Sequence, residues 1–145
     1  MTKINLEIIT PERTVFADAV DQITLPTQQG EITVLPNHIP LISSLAAGEV
    51  KIIKEGQETF MAISGGLIQI DFNKIRILAD TAERAEEIDE AKAEEAHKRA
   101  LALMSEKNKE AVDYTSLAAK IEKELARLKV ARRRKHQTGP KITNE

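Results

Sequence analysis

The 145-residue chain has no cysteine and no tryptophan, and its aromatic residues are three phenylalanines and one tyrosine. Without cysteine, a disulfide scaffold, a thiolate metal site and a cysteine nucleophile are all excluded. A run of about 18 apolar residues is missing, and so is a secretory leader, so the sequence predicts a cytosolic chain that does not span a membrane. Catalytic signatures are missing too. There is no GxxxxGK[ST] loop to cradle phosphate, no Rossmann glycine pattern after a strand, and no GxSxG elbow. His38, His97 and His136 are too scattered to suggest a set of metal ligands. The pattern does not predict an enzyme.

What is present is segregated along the chain. The net charge of −2 conceals six Lys/Arg against ten Asp/Glu over residues 1–80 and fifteen against thirteen over 81–145. Within the second part Glu83 to Glu95 is mainly acidic, whereas Arg127 to Lys135 has six bases and no acid. The first half alternates. Ile4, Leu6 and Ile8 are interleaved with polar residues, the period of a strand with one buried face. The same period recurs at Ile23/Leu25, Ile32/Val34, Val50/Ile52, Ile68/Ile70/Phe72 and Ile75/Ile77. Turn material separates these runs at Thr10 to Glu12, Pro26 to Gly30, Pro36-Asn37, Ala47-Gly48, Glu55-Gly56 and Asp71 to Lys74. Short strands at such spacing, with no helices between them, predict an antiparallel sandwich or barrel. Ser64-Gly65-Gly66 interrupts an apolar run, where a bulge or a bend is expected.

From Asp89 the period changes to that of a helix, with Ala93, Ala96, Ala100 and Leu103 on one stripe and Met104 beside it. The polar cluster around Asn108 can end this helix, and Asp113 can cap a second whose stripe is Tyr114, Leu117, Ile121, Leu125 and Leu128. Gly139-Pro140 stops it. So short a link folds the two helices into an antiparallel hairpin, which sets the acidic start of the first beside the basic end of the second. Alanine dominates the first stripe and buries little area, at about 25 cal/mol per Å2. The attachment of the hairpin is therefore expected to be reversible.

Two separated stretches carry a resemblance. One is Gly30-Glu31-Ile32-Thr33-Val34-Leu35-Pro36-Asn37-His38-Ile39-Pro40-Leu41. The other is Phe60-Met61-Ala62-Ile63-Ser64-Gly65-Gly66-Leu67, with Ala79-Asp80-Thr81-Ala82-Glu83 beyond it. Together, in this order, they resemble the epsilon subunit of bacterial F-type ATP synthase, over the N-terminus to about Ala131. The resemblance implies an α+β chain: an N-terminal antiparallel β-sandwich of about ten strands over residues 1–84, a C-terminal antiparallel two-helix hairpin over 85–138, and a disordered tail over 139–145. It implies a non-catalytic place on the central stalk, coupling proton translocation to ATP synthesis, with the gamma subunit and the c-subunit ring as partners. The hairpin is implied to leave the sandwich, reach the alpha/beta catalytic head and inhibit ATP hydrolysis. The membrane would be met only indirectly, from its cytoplasmic face, through the complex.

The same resemblance implies site residues. Some family members carry Ile/Leu-Asp-x-x-Arg-Ala where this chain has Ile88-Asp89-Glu90-Ala91-Lys92-Ala93, and bind a regulatory ATP between the folded helices. Asp89 would accept from the exocyclic amine of adenine, and Ile88 and Ala93 would lie against the ring. Lys92, Arg99, Lys123 and Arg127 would hold the triphosphate, with Glu83 at the entrance. Lysine at 92 and 123 keeps the charge and loses the planar fork of arginine. The plainer reading makes Asp89 a helix cap and the bases a solvated face. Glu31 is by default a solvated strand residue and His38 a turn residue between two prolines; by resemblance both meet partners. Two other classes stay open, a stand-alone nucleotide-sensing sandwich with a helical lid and a basic-tailed nucleic-acid adaptor. Against nucleic acid, no aromatic residue is interleaved in Arg127 to Lys135, and the sheet half is acidic.

Overall fold

The computed structural model describes residues 2–106 and 111–137, with side chains over 2–104 and 115–133. Eight strands come first: β1 (Ile4–Ile9), β2 (Thr14–Val20), β3 (Gln22–Thr27), β4 (Gly30–Val34), β5 (His38–Ser44), β6 (Gly48–Lys54), β7 (Gln57–Phe72) and β8 (Lys74–Arg84). A 3-10 turn at Ala85–Glu87 leads into α1 (Glu90–Glu106), and α2 (Ala111–Gln137) follows. The hydrogen-bonded order is β2-β1-β8-β7-β6-β3-β4, with β5 also on β7. Pairing is antiparallel except for β1 with β8, which is parallel. An antiparallel arrangement was expected throughout; the exception arises because the last strand of the sandwich returns beside the first.

Eight strands take the place of about ten because β7 and β8 are long enough to serve both layers. The first part of β7 pairs with β6 and its second part with β5. The change of partner falls at Gly65 and Gly66, whose φ values are 70° and 119°. On either side Ser64 faces Thr81 and Gly66 faces Ala79, one continuous register, so this is a bend and not a bulge with an inserted residue. A Cβ at Gly66 would lie 2.0 Å from the Leu78 carbonyl oxygen. Glycine is required there.

The alternating apolar residues fill one core. Ile4, Leu6, Ile8, Ile23, Leu25, Val50, Ile52, Ile68, Ile70, Ile75 and Ile77 are all buried in it. Every member of this core lies between Ile4 and Ala82. Two elements, β2 and β5, were not visible in the pattern. Phe72 is not the third inward residue of its run: it is 53% exposed, with φ 53° at the β7–β8 turn. Pro26 is in β3 and not in the turn; β6 pairs with β3 only as far as Thr24, so no cross-strand partner on that side needs its missing N–H.

The helices attach at one face. α1 packs on α2, and α2 packs on β6, β7 and the 3-10 turn. Asp89 caps α1, its Oδ1 accepting from the Lys92 N–H at 3.2 Å. Asp113 does not cap α2, which is already helical from Ala111. Leu125 is outside the buried stripe and 54% exposed. Leu128 is buried as the stripe expects, and Glu124, Ala126, Val130 and Ala131 are buried with it, an arc wider than one stripe because α2 touches α1 on one side and the sheet on the other. Asn108, Gly139, Pro140 and the tail fall outside the described residues.

Candidate functional site

The residues singled out at the start of α1 lie where the arm joins the sandwich. Ile88 and Ala93 are 2% and 0% exposed and belong to a small core of their own, with Phe60, Ala62, Ala85, Leu128, Val130 and Ala131. This core is built from β7 on one side and the helices on the other. It contains one large aromatic side chain and four alanines, so its apolar area is modest.

Ion pairs surround it. Arg127 donates from Nε to Glu83 Oε2 at 2.6 Å and from Nη1 to Glu124 Oε2 at 2.8 Å. Burial opposes the Arg127 charge, but the hydrogen bonds to Glu83 and Glu124 outweigh it and raise its pKa above the ordinary value. Arg133 forms a two-pronged contact, Nε to Glu49 Oε2 and Nη2 to Glu49 Oε1, each 3.1 Å. Its guanidinium carbon lies 5.0 Å from the centre of the Phe60 ring. Arg132 meets Glu90 at 3.5 Å and so joins the basic end of α2 to the acidic start of α1, as the hairpin predicts.

The other candidates are spread more widely. Lys92 is exposed on α1, and so is Arg99, which pairs with Glu95 one turn away at 3.0 Å. Lys123 is half-buried beside a cleft of about 430 Å3 whose lining includes Gln28, Ser64, Asp80 and Lys120. A second cleft, of about 590 Å3, lies against Asp89 and is lined also by Glu86, Glu87, Glu90 and Glu94. The folded arm thus joins Glu83 directly to Arg127, and sets Asp89 next to Ile88 and Ala93. It commits Arg99 and Arg127 to different carboxylates, and the space beside Asp89 is walled by acids.

Glu31 is exposed on β4, opposite Pro26. His38 is not in a loop: it opens β5, faces Phe72, and its Nδ1 donates to the Ile39 carbonyl at 2.6 Å. The turn before Glu31 meets the far end of β5, where the Gln28 N–H bonds the Ser44 carbonyl at 3.0 Å. Glu31 and His38 therefore mark opposite ends of β5, a strand about 20 Å long. Sequence reasoning missed Glu49, Phe60 and Arg133. Arg133 was visible only as part of a basic run, and nothing in the sequence near Glu49 or Phe60 points to it.

Among the described residues no helix is long and apolar enough to cross a membrane. Residues 3–85 match the family described as ATP synthase, Delta/Epsilon chain, beta-sandwich domain. Residues 86–132 match that described as ATP synthase, Delta/Epsilon chain, long alpha-helix domain. The chain is similar to the ATP synthase epsilon chain of Dehalococcoides mccartyi, with 43% identity over 94% of this chain and 98% of that one. The ATP synthase epsilon chain of Chloroflexus aggregans is 46% identical over 88% of this chain and 91% of its own. Among solved structures, a chain in the Euglena gracilis mitochondrial ATP synthase, captured as OSCP, F1 and c-ring in one rotational state, superposes with a TM-score of 0.78. It is 25% identical and covers 90% of this chain and 82% of that one.

Proposed function

For a chain that belongs to the ATP synthase delta/epsilon family, we propose the role of a non-catalytic rotor subunit whose helical arm regulates ATP hydrolysis. The sandwich is the fixed part: it sits on the central stalk against the gamma subunit and the c-subunit ring, with Glu31 and His38 as partner-facing residues. It couples proton translocation to ATP synthesis from the cytoplasmic face of the membrane, as a peripheral member of the complex. The arm is the movable part. Extended, it reaches the catalytic head and slows hydrolysis; folded on the sandwich, it does not.

The observation that carries this reading is the composition of the contact between arm and sandwich. Few large apolar side chains lie in it, and charged pairs surround it. Such a contact can open without unfolding the sandwich, whose own core, among the described residues, uses none from the helices. A regulatory ATP belongs to the same proposal, with Asp89, Ile88 and Ala93 toward the base and Lys92, Arg99, Lys123 and Arg127 toward the phosphates. Because Arg127 is held by Glu83 in the folded arm, nucleotide would compete with that carboxylate.

Affinity capture from detergent-solubilised membranes tests the role. The expected result is recovery of gamma and c subunits with the tagged chain. Recovery of neither, under conditions that keep the rest of the complex together, overturns it.

A further inference from the structure

We propose that Glu49, Ala62 and Glu83 form a receptor row on the sheet that clamps α2 at two points, and that opening this clamp is what releases the arm. Glu49 on β6 is directly opposite Ala62 on β7, and Ala62 is directly opposite Glu83 on β8. The three residues are one row across three strands, facing the helix. Two strand spacings separate the carboxylate-bearing residues, about 10 Å.

Their partners on α2 are spaced to match. Arg127 pairs with Glu83 and Arg133 with Glu49. Six residues of helix rise about 9 Å. Midway between them is Val130, which is 0% exposed and shares a core with Ala62. The small side chain at 62 lets the helix come close, and the acids on either side take one arginine each. Phe60, two residues from Ala62 on the same strand and face, supplies the ring under the Arg133 guanidinium. The helix is therefore docked in one register: a shift of one residue either way would misplace both arginines and Val130 together.

Among the described residues, the ion pairs of Arg132 and Arg99 do not fix the arm in this way. Arg132–Glu90 joins α2 to α1 and travels with the arm. Arg99–Glu95 is internal to α1. Glu83 lies two residues before the 3-10 turn, so its pair with Arg127 holds only the root. Arg133–Glu49 is the tie between parts of the chain 84 residues apart. Without it the described helix keeps one charged tie to the sheet, at Glu83, beside the small apolar patch of Phe60, Ala62, Leu128 and Val130.

The significance for regulation rests on the proposed role of the arm; the clamp itself can be tested without it. Native-state amide exchange of the isolated full-length chain separates the α2 amides from those of the sandwich. Glu49→Gln is expected to speed exchange in α2 about tenfold, the size of a lost charge-assisted pair, and to leave the strand amides unchanged. Arg133→Lys keeps the charge without the fork and is expected to fall between parent and Glu49→Gln. The exchanged pair, Glu49→Arg with Arg133→Glu, is expected to recover most of the protection. About 1 M salt is expected to move the parent toward Glu49→Gln. Unchanged α2 exchange in Glu49→Gln overturns the clamp. So does a loss of protection in the single variants that the exchanged pair fails to relieve. Capture of gamma and c subunits in the preceding experiment reports on the role separately.

Discussion

At the scale of the residue, two kinds of position are most exacting. Gly66 is one, since its φ of 119° and the Leu78 carbonyl 2.0 Å from any Cβ leave no room for a side chain. Gly66→Ala is predicted to cost about 3 kcal/mol, as expected for backbone strain combined with a clash. Gly56→Ala has open space around it and only a positive φ to contend with, and is predicted to cost about 1 kcal/mol. Urea unfolding of the two variants ranks them. The second kind is the pair of aspartates at the edge of the sheet. A hydrogen bond from Lys54, with another from the Ala19 N–H, lowers the pKa of Asp18 below 3.8. A hydrogen bond from Lys3, with another from the Glu55 N–H, does the same for Asp21. Folded values below the unfolded ones mean that these contributions are complete above about pH 4 and are lost as pH falls through the folded values. Asp18 is exposed and Asp21 half-buried beside solvent, so the effect is small. Unfolding midpoints of Asp18→Asn and Asp21→Asn should lie below the parent at neutral pH and converge with it toward about pH 2.5. Curves that stay parallel would leave these pairs without a role in stability.

At the scale of the element, legibility followed burial. β1, β3, β6 and β8 bury one face against a self-contained core, and their alternation was visible in Ile4/Leu6/Ile8, Ile23/Leu25, Val50/Ile52 and Ile75/Ile77. β5 was not, because Ile39 and Ile42 are 73% and 71% exposed and break any two-residue period. β2 was hidden for a related reason: its inward row includes Asp18, opposite Leu6 at the edge of the sheet and paired with Lys54. In α2 a single stripe was expected and two faces are buried. Leu125 was read as core and Val130 was not, although Val130 is the one that is sealed. The difference predicts a contrast. Leu128→Ala should cost the arm about 2–4 kcal/mol, whereas Leu125→Ala should stay within about 0.5 kcal/mol. Amide exchange in α2 reads both, and a larger loss at Leu125 than at Leu128 would contradict the packing. The Glu49–Arg133 pair was beyond the sequence altogether. It depends on the joint register of β6, β7 and β8, which no local pattern encodes.

At the scale of the whole molecule the chain is two bodies of unlike construction. One has a core, mainly of Ile, Leu and Val, that among the described residues draws on none from the helices. The other is an alanine-rich hairpin held to it by a small apolar patch and matched charges. Residues 1–84 are therefore expected to fold without the arm and to keep the contacts proposed for the stalk. On the proposed role, this division would let one subunit combine a permanent attachment with a reversible contact. The Asp89 motif was legible as a helix start; the commitment of Arg127 to Glu83 was not, because it joins residues 44 apart through the register of α2 on β8. The measurement that bears most directly on the central claim is the ATP hydrolysis rate of the complex reconstituted with the full chain or with residues 1–84. Equal assembly is expected with both, and faster hydrolysis with the truncated chain. Equal hydrolysis by two complexes of equal composition would contradict it.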